Sequence, residues 1–244
     1  MAQAVSSETK PAAVIAPGKL RGSSNLVLHT RQAQQLYHGR KADPDKKKPE
    51  IIGLRRFSAH LSNIWSAMIK RDPFAWWWAY KIEQRLQKAE NLIGDFITEF
   101  EGYLKNDHEN LSHEESHSIE PVHIELIFSS PYSFRCAKLL ADYDKLVRLV
   151  LTAHHVFAVD NQVVQKTLTL GGRYMRGAME SARGYYFRDV TFDDVVANNE
   201  KARAATEIMG EVPTDILDGK VKPSNTPNPM DSENSAFFGR KVTG

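Results

Sequence analysis

The chain has 244 residues, enough for one domain with extensions, and its hydrophobic fraction of 41% is typical of a globular protein with a core. No apolar run approaches the roughly 20 residues that a membrane span needs, and the amino-terminal residues lack the order of a signal peptide. The net charge is only +2, and the single cysteine, Cys136, excludes an internal disulfide and fits the reducing cytoplasm where we expect the protein to act.

The small net charge hides an asymmetry along the chain. Residues 1–71 contain 13 basic and 4 acidic side chains, a net charge of +9, so residues 72–244 carry −7. A basic first third on an acidic body indicates a polyanionic partner, most often nucleic acid. The alternative is a solubilising tail followed by a solvated lysine-rich loop.

The first third of the chain predicts short elements. Residues 1–23 have a composition typical of disorder and form a basic N-terminal arm. NLVLHT at 25–30 alternates like a strand, and 31–39 predicts a helix that ends at a glycine. A polar, basic loop follows at 40–50, and the apolar spacing over 51–70 predicts an amphipathic helix.

The middle of the chain predicts long helices. Asp72 and Pro73 are start signals for a helix that reaches Leu104, with a tryptophan triplet near its beginning. Residues 105–121 are polar and predict a loop. The strongest pattern lies after it: residues 122–128 alternate with a period of two, and 132–157 carry apolar residues at spacings of three and four.

The last part continues this mainly helical pattern. A helix is expected over 160–183, with a glycine pair that predicts a bend or a close helix crossing. We expect a third short strand at 186–190 and one helix over 191–209. The predicted fold is mainly α with a few short β-strands (α+β), a single DNA-binding and dimerisation domain over 24–221, and a disordered tail at 222–244.

Candidate DNA contacts concentrate between the strand at 25–30 and the first turns of the helix predicted at 51–70. Lys and Arg at the start of a helix can engage phosphates together with free backbone N–H groups, and side chains beside a strand can reach base edges. The predicted DNA-binding residues are His29, Arg31, Arg40, Lys41, Lys46, Lys47, Lys48, Arg55 and Arg56. A further helical stripe consists of Arg173, Arg176 and Arg183. We expect it to be a solvated helix face rather than a set of phosphate contacts.

The segment HEESH at 113–117 matches the zinc-hydrolase pattern HExxH. Such a site needs His113 and His117 one helical turn apart, Glu114 as general base and a third ligand. The flanking residues are polar and show no helical stripe that could bury the site. We therefore predict no catalytic site, no enzyme activity, no cofactor and no metal. The sequence leaves open whether the His-rich loop at 108–117 binds metal without catalysis.

Several stretches together resemble a bacterial family carried by integrating conjugative elements and large conjugative plasmids. They are LHTRQAQQLYHGR (28–40), GLRRF (53–57), DPFAWWWAYKIE (72–83), EPVHIELIFSSPYSFRCAKLLADYDKLVRLVLTAHH (120–155) and MGEVPTDILDG (209–219). The resemblance implies a DNA-binding transcriptional activator of conjugation genes with a ribbon-helix-helix element, and hence a homodimer on double-stranded DNA. It supplies no site residue.

The order strand, helix, helix occurs twice in this chain. One candidate for the ribbon-helix-helix element is 122–128 with the two helices that follow, and the other is 25–30 with the helices at 31–39 and 51–70. Charge favours the second for DNA contact, and periodicity favours the first for the core. Which strand forms the DNA-reading ribbon stays open.

Three functions compete at this point. The first is a sequence-specific DNA-binding regulator of conjugative transfer genes. The second is a non-enzymatic structural or accessory protein of conjugation. The third, which the context of HEESH disfavours, is a metal-dependent hydrolase. None of them requires a membrane or a small-molecule substrate.

Overall fold

The computed structural model describes residues 24–105 and 115–227. Four short strands and eight helices lie within them. The strands are β1 (Ser24–Leu28), β2 (Gly39–Arg40), β3 (Ile51–Ile52) and β4 (Val122–Leu126). The helices are α1 (Arg31–His38), α2 (Leu54–Ile69), α3 (Pro73–Lys105), α4 (Pro131–His155), α5 (Asn161–Glu180), α6 (Phe192–Val196), α7 (Glu200–Met209) and α8 (Thr214–Leu217). The predicted mainly α class with a few strands is confirmed.

The two strands that open the candidate DNA-binding units pair with each other. β1 and β4 form an antiparallel two-stranded ribbon in which Leu26 lies opposite Ile124 and Val27 opposite His123. The ribbon is therefore built from one chain, whereas the resemblance implies one strand from each of two subunits. Each strand leads into two helices, so the β1–α1–α2 and β4–α4–α5 units meet at the ribbon.

The inner face of the ribbon is less buried than the alternation at 122–128 predicts. Leu26 and Leu28 of β1 are buried in the core. On β4, Ile124 and Leu126 are half-buried, and the side chain of Val122 is 36% exposed. A ribbon of two strands has no neighbouring strand to cover its margins, which leaves the end of β4 in contact with solvent.

The core lies where α3, α4 and α5 pack together. α4 carries many buried residues, and charged side chains on its polar side form ion pairs with α3. Arg135 of α4 donates to Glu90 of α3 through two nitrogens, at 2.7 and 2.6 Å, and lies 3.6 Å from Glu83. This bidentate contact also raises the pKa of Arg135, since the carboxylate favours the charged form.

The glycine pair in α5 marks a close helix crossing, one of the two outcomes that its sequence predicts. A Cβ atom on Gly171 would stand 3.0 Å from the Tyr143 ring of α4, and one on Gly172 would stand 3.2 Å from the Tyr143 hydroxyl. That hydroxyl donates to the carbonyl of Leu168. Larger side chains at these positions would push α5 away from α4.

Helix starts follow the predicted capping residues. The carboxylate of Asp72 accepts the N–H groups of Phe74 and Ala75 and, at 2.7 Å, the Tyr185 hydroxyl. Burial raises the pKa of Asp72 and of Tyr185, because both ionised forms lose water. The Asp160 side chain likewise caps α5 by accepting from Val163.

Two predictions in the last third of the chain are wrong. Residues 186–190 form no strand, and Asp189 has a φ of +53°, which interrupts extended backbone. The predicted helix over 191–209 is divided into α6 and α7. Asn198 takes a φ of +48°, and the side chain of Asn199 caps a new helix by accepting from Ala202.

The predicted division into an arm at 1–23, a domain at 24–221 and a tail at 222–244 stays a prediction. Residues 1–23 and 228–244 lie outside the described part of the chain. The described residues after 221 stay against the body: the Ser224 N–H donates to Glu83, and the Tyr132 hydroxyl donates to the carbonyl of Asn225. Among the described helices, none has the length and hydropathy that a bilayer crossing needs.

Candidate nucleic-acid interface

The outer face of the β1–β4 ribbon is largely exposed and carries both polar and apolar side chains. Antiparallel pairing places Asn25 opposite Glu125 and Val27 opposite His123 on this face, and the Ile127 side chain just beyond β4 is 86% exposed. An amide, an imidazole and a carboxylate are groups that can hydrogen-bond to base edges. The major groove of B-DNA is wide enough to admit a two-stranded ribbon of this kind.

A buried carboxylate holds the end of β1 in place. Asp144 of α4, 2% exposed, accepts the N–H of His29 at 3.1 Å and the N–H of Thr30 at 2.8 Å. It also accepts the Thr30 hydroxyl at 2.7 Å, while that hydroxyl accepts the Ala33 N–H and so caps α1. The junction between the ribbon and α1 is therefore fixed to the core helix.

Arg148 extends this junction to the segment before β4. Its guanidinium lies 3.4 Å from Asp144 and 2.9 Å from Glu115, and its Nη1 is 2.8 Å from the His117 ring. The Ser116 N–H donates to Thr152 one turn further along α4. Both strands of the ribbon are thus attached to one stretch of α4.

His29 and Arg31 lie at this end of the ribbon. The His29 ring accepts the Ser118 N–H through Nδ1 and packs edge-on against His117. One ring nitrogen of His29 is therefore already engaged with the protein. Arg31 opens α1, is exposed, and makes no ion pair within residues 24–105 and 115–227.

The predicted basic loop at 40–50 is a short hairpin. β2 and β3 pair through Gly39 and Ile52, and Gly39, with a φ of +69°, faces Gly53 so closely that neither position has room for a Cβ. Lys48 bridges Asp43 at the other end, and Lys47 has a φ of +50°. The Lys46 ammonium lies 3.7 Å from Asp43. We call Asp43 to Lys48 the lysine turn.

The remaining predicted contacts surround this hairpin. Arg40 donates to the carbonyl of Pro49, and Lys41 is exposed. Arg55 and Arg56 are exposed in the first turn of α2, whose N-cap, Gly53, supplies no side-chain hydrogen bond. Arg56 forms an ion pair with Glu50. Uncapped N–H groups next to arginines make this helix start suitable for a phosphate.

The structure divides the predicted residues into two groups. His29 and Arg31 lie at the ribbon, while Arg40, Lys41, the three lysines and both arginines of α2 lie at the other end of α1. α1 lies between the two groups and has eight residues, a length of about 12 Å at 1.5 Å per residue. Sequence reasoning missed Asn25, although the alternation over 25–30 already places it on the same face as Val27.

The HEESH segment is only partly described. His113 and Glu114 lie outside the described residues, while Glu115 and His117 both contact Arg148. Within residues 24–105 and 115–227, no group of three or more His, Cys, Asp and Glu side chains is arranged to hold a metal ion. The described half of the segment thus contributes to the junction at α4.

The comparison that decides the family covers most of the chain. Residues 16–228 match the family of the transcriptional regulator AcaB. This chain belongs to that family. The resemblance seen in the sequence is thereby confirmed, and AcaB-family membership makes the protein a transcriptional regulator.

A solved structure shows the same fold as this AcaB-family chain. It is the crystal structure of selenomethionine-containing AcaB from uropathogenic E. coli, with a TM-score of 0.54 and 12% sequence identity. The similarity covers 83% of this chain and 98% of that chain. No curated protein matches the sequence.

Proposed function

We propose that the protein binds duplex DNA in a sequence-specific manner and activates the transcription of conjugative transfer genes. One observation carries the DNA-binding part: a transcriptional regulator presents an exposed two-stranded ribbon with Asn25, His123 and Glu125 on its outer face. In this proposal the ribbon enters the major groove as a ribbon-helix-helix element. The proposal that the regulated genes are conjugation genes rests on the resemblance to proteins of conjugative elements.

The ribbon comes from one chain, so a single protomer can present a complete reading surface. Regulators that bind as dimers place two such surfaces on half-sites separated by about one helical turn of DNA. We propose this arrangement for the homodimer that the resemblance implies. Binding takes place in the cytoplasm, where the plasmid or integrated element lies, and needs no cofactor and no catalysis.

Phosphate contacts in this proposal come from the hairpin at 39–53 and the start of α2. Lysines and arginines there supply affinity and orientation without reading sequence. Arg31 lies apart from them, at the junction of the ribbon and α1, and is free of ion pairs within the described residues. It is therefore the strongest candidate for a base contact among the predicted residues.

Replacing Lys46, Lys47 and Lys48 together with Ala should weaken binding to all duplexes about equally. Each lost phosphate contact releases about 0.9 fewer counterions, so the slope of log affinity against log salt should flatten by up to about 2.7. Fluorescence anisotropy with specific and random duplexes at several salt concentrations measures both effects. Unchanged binding at every salt concentration would mean that the lysine turn is only solvated.

Arg31→Ala should behave differently from the lysine variant. If Arg31 contacts a base, the variant should lose about 1–3 kcal/mol on the preferred site and little on random DNA. Lys41→Ala, which removes an equal charge from the hairpin, is the matched control. Equal losses on both duplexes would show that Arg31 contacts only the backbone.

A selection of binding sites from random DNA tests the function itself. A sequence-specific regulator binds its site typically 10³ to 10⁷ times more tightly than non-specific DNA. An accessory protein of conjugation that binds through charge alone would enrich no sequence and show a ratio near one. A transcription assay with a promoter that carries the selected site then distinguishes activation from repression.

A further inference from the structure

A groove of about 350 Å³ lies between α3 and α5. Arg85 and Lys88 of α3 and Arg173 of α5 line it, and its other lining residues, Tyr174, Gly177 and Ala178, are uncharged. We propose that this groove binds the phosphate backbone of the DNA that flanks the sequence-specific site. The inference rests on the proposed DNA-binding function and adds a second contact surface to it.

The charge of this groove is not neutralised by the protein. Elsewhere on the helical body, Arg135 is paired with Glu90, Lys145 with Glu101 and Arg183 with Glu50. Within residues 24–105 and 115–227, by contrast, no carboxylate forms an ion pair with Arg85, Lys88 or Arg173. Their positive charges are therefore available to a polyanion.

The groove is continuous with the surface that carries the lysine turn. A neighbouring shallow groove shares Arg173 and Gly177 and adds Arg176, Glu50, Glu180 and both residues of β3. β3 begins three residues after Lys48, so the hairpin that carries the lysine turn borders this neighbouring groove. In this proposal one duplex contacts both the lysine turn and the groove.

The shape of the groove suits a backbone ligand. Arg85 and Lys88 are one turn apart on α3, so both can face one ligand in the groove. Gly177 is exposed with open space at its Cβ position, so no side chain hinders an approach to α5 there.

The test uses the full chain and two duplexes that contain the selected site. One duplex is minimal, and the other is longer by about ten base pairs on each side, one helical turn of DNA. The groove variant carries Arg85→Ala, Lys88→Ala and Arg173→Ala. Parent protein should bind the longer duplex more tightly than the minimal one. The groove variant should lose that gain, with a salt slope flatter by up to about 2.7 on the longer duplex and no change on the minimal one.

A control variant removes the same number of positive charges from α7 and from the turn after α8. It carries Lys201→Ala, Arg203→Ala and Lys220→Ala and should retain the gain from flanking DNA. An equal loss of that gain in the control variant would show that it depends only on the net charge of the protein, and would overturn the inference. Thermal unfolding followed by circular dichroism identifies any variant that is misfolded. If the triple variant is misfolded, the single variants Arg85→Gln and Arg173→Gln are tested for the same loss on the same two duplexes.

Two further results separate this inference from the proposed function. Identical binding of groove variant and parent at every duplex length and salt concentration would overturn the groove and leave specific binding intact. A parent without sequence preference would contradict the proposed function, and the groove would then be judged by its salt slope on long random duplexes. If the groove variant changes only the inhibition of DNA binding by inorganic phosphate, the groove binds free anions and the inference is wrong.

Discussion

Asp144→Ala should destabilise the protein by about 3–5 kcal/mol, because it breaks a buried, charged hydrogen-bond network. The change leaves the N–H groups of His29 and Thr30 and the Thr30 hydroxyl without their acceptor, at positions that are half-buried or buried. It also leaves Arg148 with one carboxylate fewer. Urea unfolding followed by circular dichroism gives the change in the free energy of unfolding.

Asp142→Ala on the same helix is the matched control for this prediction. Asp142 is half-buried, and burial raises its pKa, so the protein does not favour its charged form. Its removal should cost much less than the removal of Asp144. Similar losses at the two positions would mean that the contacts at the end of β1 contribute little to stability.

Specific DNA binding should fall along with stability in the Asp144 variant. The junction that Asp144 holds is the place where the ribbon meets α1, next to Arg31. Base contacts depend on the position of the reading element, whereas the lysine turn belongs to the hairpin that follows α1 and is held by its own contacts. Binding to random DNA should therefore change less than binding to the preferred site.

Local signals in the sequence were sufficient for most helices. α3 was predicted to run from Asp72 and Pro73 to Leu104 and occupies Pro73–Lys105, because its capping residues and its apolar spacing agree. The prediction of one helix over 191–209 is wrong because a second start signal lies inside that range. Thr191 caps the first helix as predicted, but Asn199, with Asn198 before it, caps a second helix.

Contacts between distant parts of the chain could not be predicted in this way. β1 and β4 have no local signal that joins them, and the alternation of each strand is equally compatible with a partner in a second subunit. Asp144 looks in the sequence like one charged residue of a helix face, yet its partner Thr30 is 114 positions away. For the same reason, the sequence does not show that Arg85 and Lys88 lie near Arg173, because that depends on how α3 packs against α5.

The face of α4 that supports both the core and the ribbon was nevertheless readable from its spacing. The spacing of three and four over 132–157 places Leu146 on the buried side, and its side chain is fully buried, close to Gly171 where α4 crosses α5. Lys145 lies outside that apolar spacing, and its side chain is 37% exposed and 2.6 Å from Glu101. Neighbouring residues of one helix therefore provide a direct comparison of a core position with a surface ion pair.

Leu146→Ala should lower the free energy of unfolding by about 2–5 kcal/mol, since it leaves a cavity at a helix crossing that cannot easily collapse. Lys145→Ala should cost less than about 1 kcal/mol, the usual range for an exposed ion pair. The Lys145 ammonium lowers the pKa of Glu101, so this small contribution should be present at neutral pH and disappear as the pH falls through the folded pKa of Glu101. Urea unfolding at neutral and acidic pH measures both costs. Equal costs at the two positions, or a loss at Lys145 that grows in acid, would show that the packing of α4 against α3 and α5 differs from this fold.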